Sequence, residues 1–80
     1  MGFVIFFSEI ENNEACLMFA EGNNTGAIES LKRAITQLTD LPENVQLLEE
    51  NLKKNLLIVQ SSLAAGEGIL VEAPVAVILF

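Results

Sequence analysis

Eighty residues of 8.7 kDa make one domain, 1–80, and a chain of this length buries only roughly 60% of its extended surface, so a lone monomer is marginally stable. One cysteine excludes an internal disulfide, and a lone Cys with no His offers no soft-metal cluster, which leaves association as the expected remedy. The net charge of −7, eleven acids against four bases, argues against DNA, RNA or anionic lipid as partners.

Taken in chain order, residues 2–10 (GFVIFFSEI) are short, apolar and partly β-branched, and predict a strand. Glu11-Asn12-Asn13 reads as a turn, because Asn tolerates left-handed backbone angles. Residues 14–21 (EACLMFAE) read as the returning strand of a β-hairpin with an acidic tip of Glu9, Glu11 and Glu14. Gly22 to Gly26 is a loop leading to a helix near 26–38, capped by Asn24 or Thr25. Its apolar stripe is Ala27, Ile28, Leu31, Ala34, Ile35 and Leu38, with Glu29 and Arg33 one turn apart on the wet side.

Asp40-Leu41-Pro42-Glu43 ends that helix and opens another, with Asp40 and Glu43 spaced as a capping box and Pro42 in the first turn. The second helix is expected over about 42–64. Val45, Leu48, Leu52, Leu56, Val59 and Leu63 make a narrow seam within roughly 60° at 100° per residue. Glu49 with Lys53 and Glu50 with Lys54 fit favourable i,i+4 pairs, and Gly66 is a stop. ILVEA, then Pro74, then VAVILF have strand character, with Pro74 marking a bulge, bend or edge.

The order β-β-α-α-β predicts a two-layer α+β fold: an antiparallel sheet of three to four strands with two helices on one face. Both faces of that sheet are apolar. Phe3, Ile5 and Phe7 alternate with Val4 and Phe6, and Ala15, Leu17 and Phe19 alternate with Cys16, Met18 and Ala20. Helices cover one face, so the other predicts a homo-oligomer, a dimer being the commonest solution. Leu47, Leu57 and Ile58 lie off the long helix's seam and are further candidate contacts. Uncharged 75–80 is expected to be integral to core and assembly, because an exposed β-prone edge aggregates.

Chemistry-bearing motifs are sparse. Gly22-Asn-Asn-Thr-Gly26 could hold an anion at a helix N-terminus, but it lacks the P-loop Lys and is flanked by Glu21 and Glu29, so a turn with a cap is the reading. The three glutamates of the tip are read as solvated or facing a basic partner, not as a metal site. Cys16 has no His to activate it and is read as an inert core thiol. Glu72 is placed at a solvent-facing edge. Met18 with Phe6 and Phe19 could line an apolar pocket, though core packing is the ordinary explanation. No basic n-region, myristoylation signal or long apolar run is present, and Asn23-Asn24-Thr25 is read as a chance sequon, so no membrane and a cytoplasmic address are expected.

The expected function is therefore a non-enzymatic interaction module with no cofactor and no metal. It binds itself and potentially another protein through acidic and apolar surface, with Val4, Phe6, Met18, Glu9, Glu11, Glu14, Leu47 and Ile58 as contact residues. The alternative is a small-molecule binder with a pocket between sheet and helices or at a dimer interface.

Overall fold

The computed structural model describes residues 2–39, 46–65 and 72–77. They form three helices, α1 (Gly2–Ala20), α2 (Asn24–Thr39) and α3 (Gln46–Ala65), followed by a non-helical segment at 72–77. The expected α+β sheet is wrong: among the described residues there is no strand, and the architecture is a bundle-like arrangement of three helices.

The error lies almost wholly in α1. The hairpin expected over 2–21 is one continuous helix of 19 residues, and Asn12-Asn13 lies inside it instead of turning the chain. Over 3–7 and 15–20 every position is apolar, so there alternation fits as well as any other period. The discriminating residues are the small and polar ones: Ser8, Asn12 and Ala15 are fully buried at i, i+4 and i+7, and Ile5 and Phe19 extend that line against the core. The second half also favours a helix on propensity, since Glu, Ala, Leu and Met are strong formers and the only β-branched residues of α1 are Val4, Ile5 and Ile10.

The α1–α2 connection is three residues long, Glu21, Gly22 and Asn23. Gly22 adopts φ 85°, a left-handed conformation that costs a glycine little. Around it the Asn23 N–H donates to Met18 C=O at 2.8 Å and the Gly22 N–H to Phe19 C=O at 3.0 Å, the paired bonds of a Schellman stop. Asn23 then begins α2: its Oδ1 accepts the Gly26 N–H at 2.9 Å, and its carbonyl accepts the first helical bond, from Ala27, at 3.1 Å. The expected turn and cap are present, with the capping residue one or two positions earlier than Asn24 or Thr25.

α2 is the middle helix, packed on α1 and on α3, while α1 and α3 barely meet. Its stripe is as expected: Ala27, Leu31, Ala34 and Leu38 are buried, and Ile28 and Ile35 pack at the margin. Along α3, Leu52 and Val59 are buried, Leu48 and Leu56 half-buried, and Leu63 half-exposed near the helix end. Small side chains line the α1–α2 contact, Ser8 and Ala15 facing a helix that carries Ala27, Ser30 and Ala34. Ser8 Oγ donates to the Ala34 carbonyl at 3.5 Å, and Ser30 Oγ to the Met18 sulfur at 3.8 Å. Among the described residues the large, fully buried apolar side chains are Leu31, Leu38, Leu52 and Val59. Each contributes roughly 1.5–3 kcal/mol when fully buried.

Val45, the capping elements Asp40, Pro42 and Glu43, the stop at Gly66, and residues 69–71 and 78–80 of the expected last strands lie outside the described residues. Residues 72–77 take no strand partner, so the expected sheet edge is absent there.

Candidate functional site

The most constructed polar feature of the molecule is a cluster of asparagine side chains on α1 and α3 that holds the main chain of 75–77. Asn12 and Asn13 come from the middle of α1, and Asn55 from the buried side of α3, where Leu52 and Val59 flank it at i−3 and i+4. The Asn55 amide pairs with both main-chain groups of Val75: its Nδ2 donates to the Val75 carbonyl at 2.8 Å, and its Oδ1 accepts the Val75 N–H at 3.0 Å. Asn13 does the same for Val77, donating to its carbonyl at 2.9 Å and accepting its N–H at 2.8 Å. Asn12 ties the two together. Its Nδ2 donates to the Val75 carbonyl at 3.1 Å and to Asn13 Oδ1 at 3.2 Å, and its Oδ1 accepts from Asn55 Nδ2 at 2.7 Å.

Each paired amide stands in for the peptide group of a neighbouring strand. Residues 75 and 77, two apart, turn their N–H and C=O to the same side, as alternate residues of an extended chain do. The segment thus bridges α1 and α3, the two helices that barely touch directly. Asn12 and Asn55 are at most 2% exposed, and a buried amide without partners costs about 1–3 kcal/mol. Every such buried side-chain N and O among the described residues has a partner. Recognition is by main chain, since the Val75 side chain points largely to solvent at 63% exposure.

The residues expected to make contacts are scattered by the helical geometry. The hairpin tip does not exist: Glu9, Glu11 and Glu14 are spread around α1, roughly 60–160° apart at about 100° per residue. Glu11 accepts from Arg33 Nε of α2 at 3.3 Å, Glu9 is half-buried and Glu14 exposed. Arg33, expected on the wet side one turn from Glu29, therefore reaches across to α1. Phe6, Met18 and Phe19 do not converge on a pocket: Phe6 is exposed on the outer side, while Met18 and Phe19 pack against the core. Val4 and Ile58 are half-buried and Leu47 is exposed. On α3, Glu49 and Lys53 pair at 3.8 Å as expected, whereas Glu50 accepts from Gln46 Nε2 at 3.1 Å. Glu72 is exposed. Cys16 is half-buried, and burial pushes its thiol above the ordinary value of 9.0, so it is a neutral, weakly nucleophilic group.

Two features emerge only from the helical geometry. One is the asparagine cluster, signalled only by Asn12 falling on the helical line Ile5, Ser8, Ala15, Phe19 and by Asn55 falling on the seam of α3. The other is the outer face of α1, where Phe3, Phe7 and Leu17 are 79, 55 and 66% exposed and Phe6 lies beside them. From Phe3 to Leu17 this face runs about 21 Å along the helix. Among the described residues no group of acidic, Cys or His side chains is placed to hold a metal ion, and no helix is long and apolar enough to cross a membrane. Comparisons with protein-family models, curated proteins and solved structures find no match to this chain.

Proposed function

We propose that the chain is a non-enzymatic interaction module that associates with itself through the outer face of α1. The observation that carries this reading is the exposure of Phe3, Phe6, Phe7 and Leu17 on one side of a helix whose opposite side is already buried against α2. Scattered exposed apolar residues are ordinary, but three exposed phenylalanines grouped on one side of a helix, with Leu17 further along it beyond Glu14, are the kind of apolar face that marks an interaction surface. The length of 80 residues supplies the thermodynamic motive, because a chain this short buries a limited share of its surface and a second copy adds apolar burial. Symmetric pairing of one face with itself, as in a two-fold dimer, is the simplest closed arrangement. A cytoplasmic address goes with this reading, the single cysteine being a free thiol.

The non-enzymatic part of the reading rests on residue types. The chain has no His and no Tyr, which leaves Glu, Asp and Lys for acid–base work.

Light scattering at micromolar concentration tests the reading. The wild-type mass should be a multiple of 8.7 kDa, and the double substitution Phe3→Glu, Phe7→Glu should return it to the monomer with helical content unchanged. A wild-type protein that stays a stable monomer refutes self-association.

A further inference from the structure

The geometry points to residues 75–77 as an edge strand whose open side pairs antiparallel with the same residues of a second copy. This inference rests on the self-association proposed above and adds a main-chain contact to it.

An extended chain carries its N–H and C=O groups alternately to its two sides. One side of 75–77 is taken: five hydrogen bonds join the main-chain groups of Val75 and Val77 to the amides of Asn12, Asn13 and Asn55. Ala76, between them, turns its N–H and C=O to the other side. It is exposed, and neither group has a partner among the described residues. The segment is thus a strand with one neighbour, and that neighbour is made of side chains. Such an edge is a template for another extended backbone. The amides already hold it extended, so docking a second strand orders little further chain.

Three features make the same segment of a second copy its complement. First, a residue that offers both an N–H and a C=O on one edge is its own partner. Set opposite itself across a two-fold axis, Ala76 exchanges both bonds with its counterpart, as in the hydrogen-bonded pair of an antiparallel ladder. Secondly, this register puts Val75 beside the partner's Val77. Val75 is 63% exposed in the single chain, and a β-branched cross-strand pair covers it. Thirdly, two copies at net charge −7 repel, and 73–77 carries no charge, so the copies approach there at least cost. Pro74 has no N–H to leave unpaired beside the join. The edge also adjoins the apolar face of α1. Asn13, which holds Val77, is one turn before Leu17 and within about 20° of Phe6 around the helix axis.

The test is a substitution that spares the asparagine cluster. Ala76→Pro removes the open-side N–H. The bonds to the amides use residues 75 and 77, and proline keeps both itself and the residue before it extended. Dimerisation, read by light scattering across a dilution series, should weaken roughly tenfold or more, because two symmetry-related bonds are lost. Ala76→Val keeps the N–H and favours a strand, and should dimerise at least as well as wild type. Hydrogen exchange on the wild-type protein carries the test should the proline variant unfold. The Ala76 amide should exchange freely at concentrations where the chain is monomeric and become protected where it is dimeric, while the Val75 and Val77 amides stay protected at both. An Ala76→Pro chain that dimerises like wild type, or an Ala76 amide that exchanges equally at both concentrations, overturns the edge pairing and leaves association through α1 standing. A wild-type chain that never leaves the monomer overturns both.

Discussion

α1 and α2 are helices of similar length packed against each other, and they are built on opposite plans. α2 puts Ala27, Leu31, Ala34 and Leu38 inside and Lys32, Arg33, Thr36 and Gln37 outside. α1 puts Ser8, Asn12 and Ala15 inside and Phe3, Phe6, Phe7 and Leu17 outside. The apolar moment that announces a surface helix is present in the first and cancelled in the second. A helix with small and polar residues inward is specified by close approach and hydrogen bonding, which leaves its large apolar residues on the outer side.

The largest expected effect separates the two plans directly. Leu31→Ala empties a fully buried site at the centre of α2 and should cost about 2–5 kcal/mol, against a total stability of about 4–12 kcal/mol for a domain of this size. Phe7→Ala removes a larger side chain from α1, yet its exposed position predicts a change within about 0.5 kcal/mol in the monomer. Urea unfolding at concentrations where the protein is dilute enough to be monomeric reads both. Equal losses would mean that the outer face of α1 is buried in the folded chain and that the contrast between the helices is wrong.

Next comes the polar interior of α1 and α3. Asn55→Ala strips the Val75 N–H of its acceptor and Asn12 Oδ1 of its donor, and a loss of about 1–3 kcal/mol is expected. Asn51→Ala, an exposed position on the same helix, is the control and should change stability little. Hydrogen exchange sharpens the assignment: the Val75 and Val77 amides should be protected in wild type and exchange freely in Asn55→Ala and Asn13→Ala respectively. Amides already unprotected in wild type would show that the cluster does not hold the segment.

These same residues explain how far the sequence could be read. The stripe of α2 and the seam of α3 were legible because apolar side chains recur there against polar neighbours, and the Gly22 turn with its cap was legible because Gly and Asn have local reasons to be there. α1 was not legible as a helix. Its apolar residues surround the axis, so period 2 and period 3.6 fit alike, and Asn12-Asn13 looks like turn chemistry when its purpose is long-range. The partners of Asn12 and Asn13 stand 63 and 64 residues away in the chain, a separation that no local pattern encodes. The candidate site was missed for the same reason: its ligand is main chain, and its residues belong to elements whose pairing is known only after folding.

The start of α2 offers a smaller effect with a sign that can be tested. Asn23→Ala removes the cap and should cost about 1 kcal/mol. Gly26→Ala would ordinarily stabilise a helix by about 0.5–1 kcal/mol. Here a Cβ on Gly26 would lie 2.5 Å from Asn23 Nδ2 and 2.9 Å from its Cγ, so the capping side chain must move and the gain should vanish or reverse. In the Asn23→Ala background the obstruction is gone, and Gly26→Ala should recover its ordinary gain. A double-mutant cycle measures the coupling. Additive substitutions would mean that Asn23 does not cap α2 through Gly26.

The smallest effect is silent at neutral pH and belongs to α1. Cys16 lies half-buried between the inner and outer faces, and burial raises its thiol above the ordinary value of 9.0. The fold thus favours the neutral thiol. Below that value the thiol is protonated in folded and unfolded chains alike, and Cys16 contributes no pH dependence. As the pH rises past it, the unfolded chain releases the proton first, binds fewer protons than the folded chain, and is favoured by linkage, so stability falls. Comparing wild type with Cys16→Ala isolates this from the titration of other groups: the two stability curves should run parallel up to about pH 8 and converge or cross above it, with wild type falling faster. Thiol labelling gives an independent reading, slow in the native protein and fast in denaturant, because the reactive thiolate is scarce while the helix is folded. Parallel curves throughout, together with rapid native labelling, would place Cys16 on the solvent-facing side of α1 and move the boundary between its two faces.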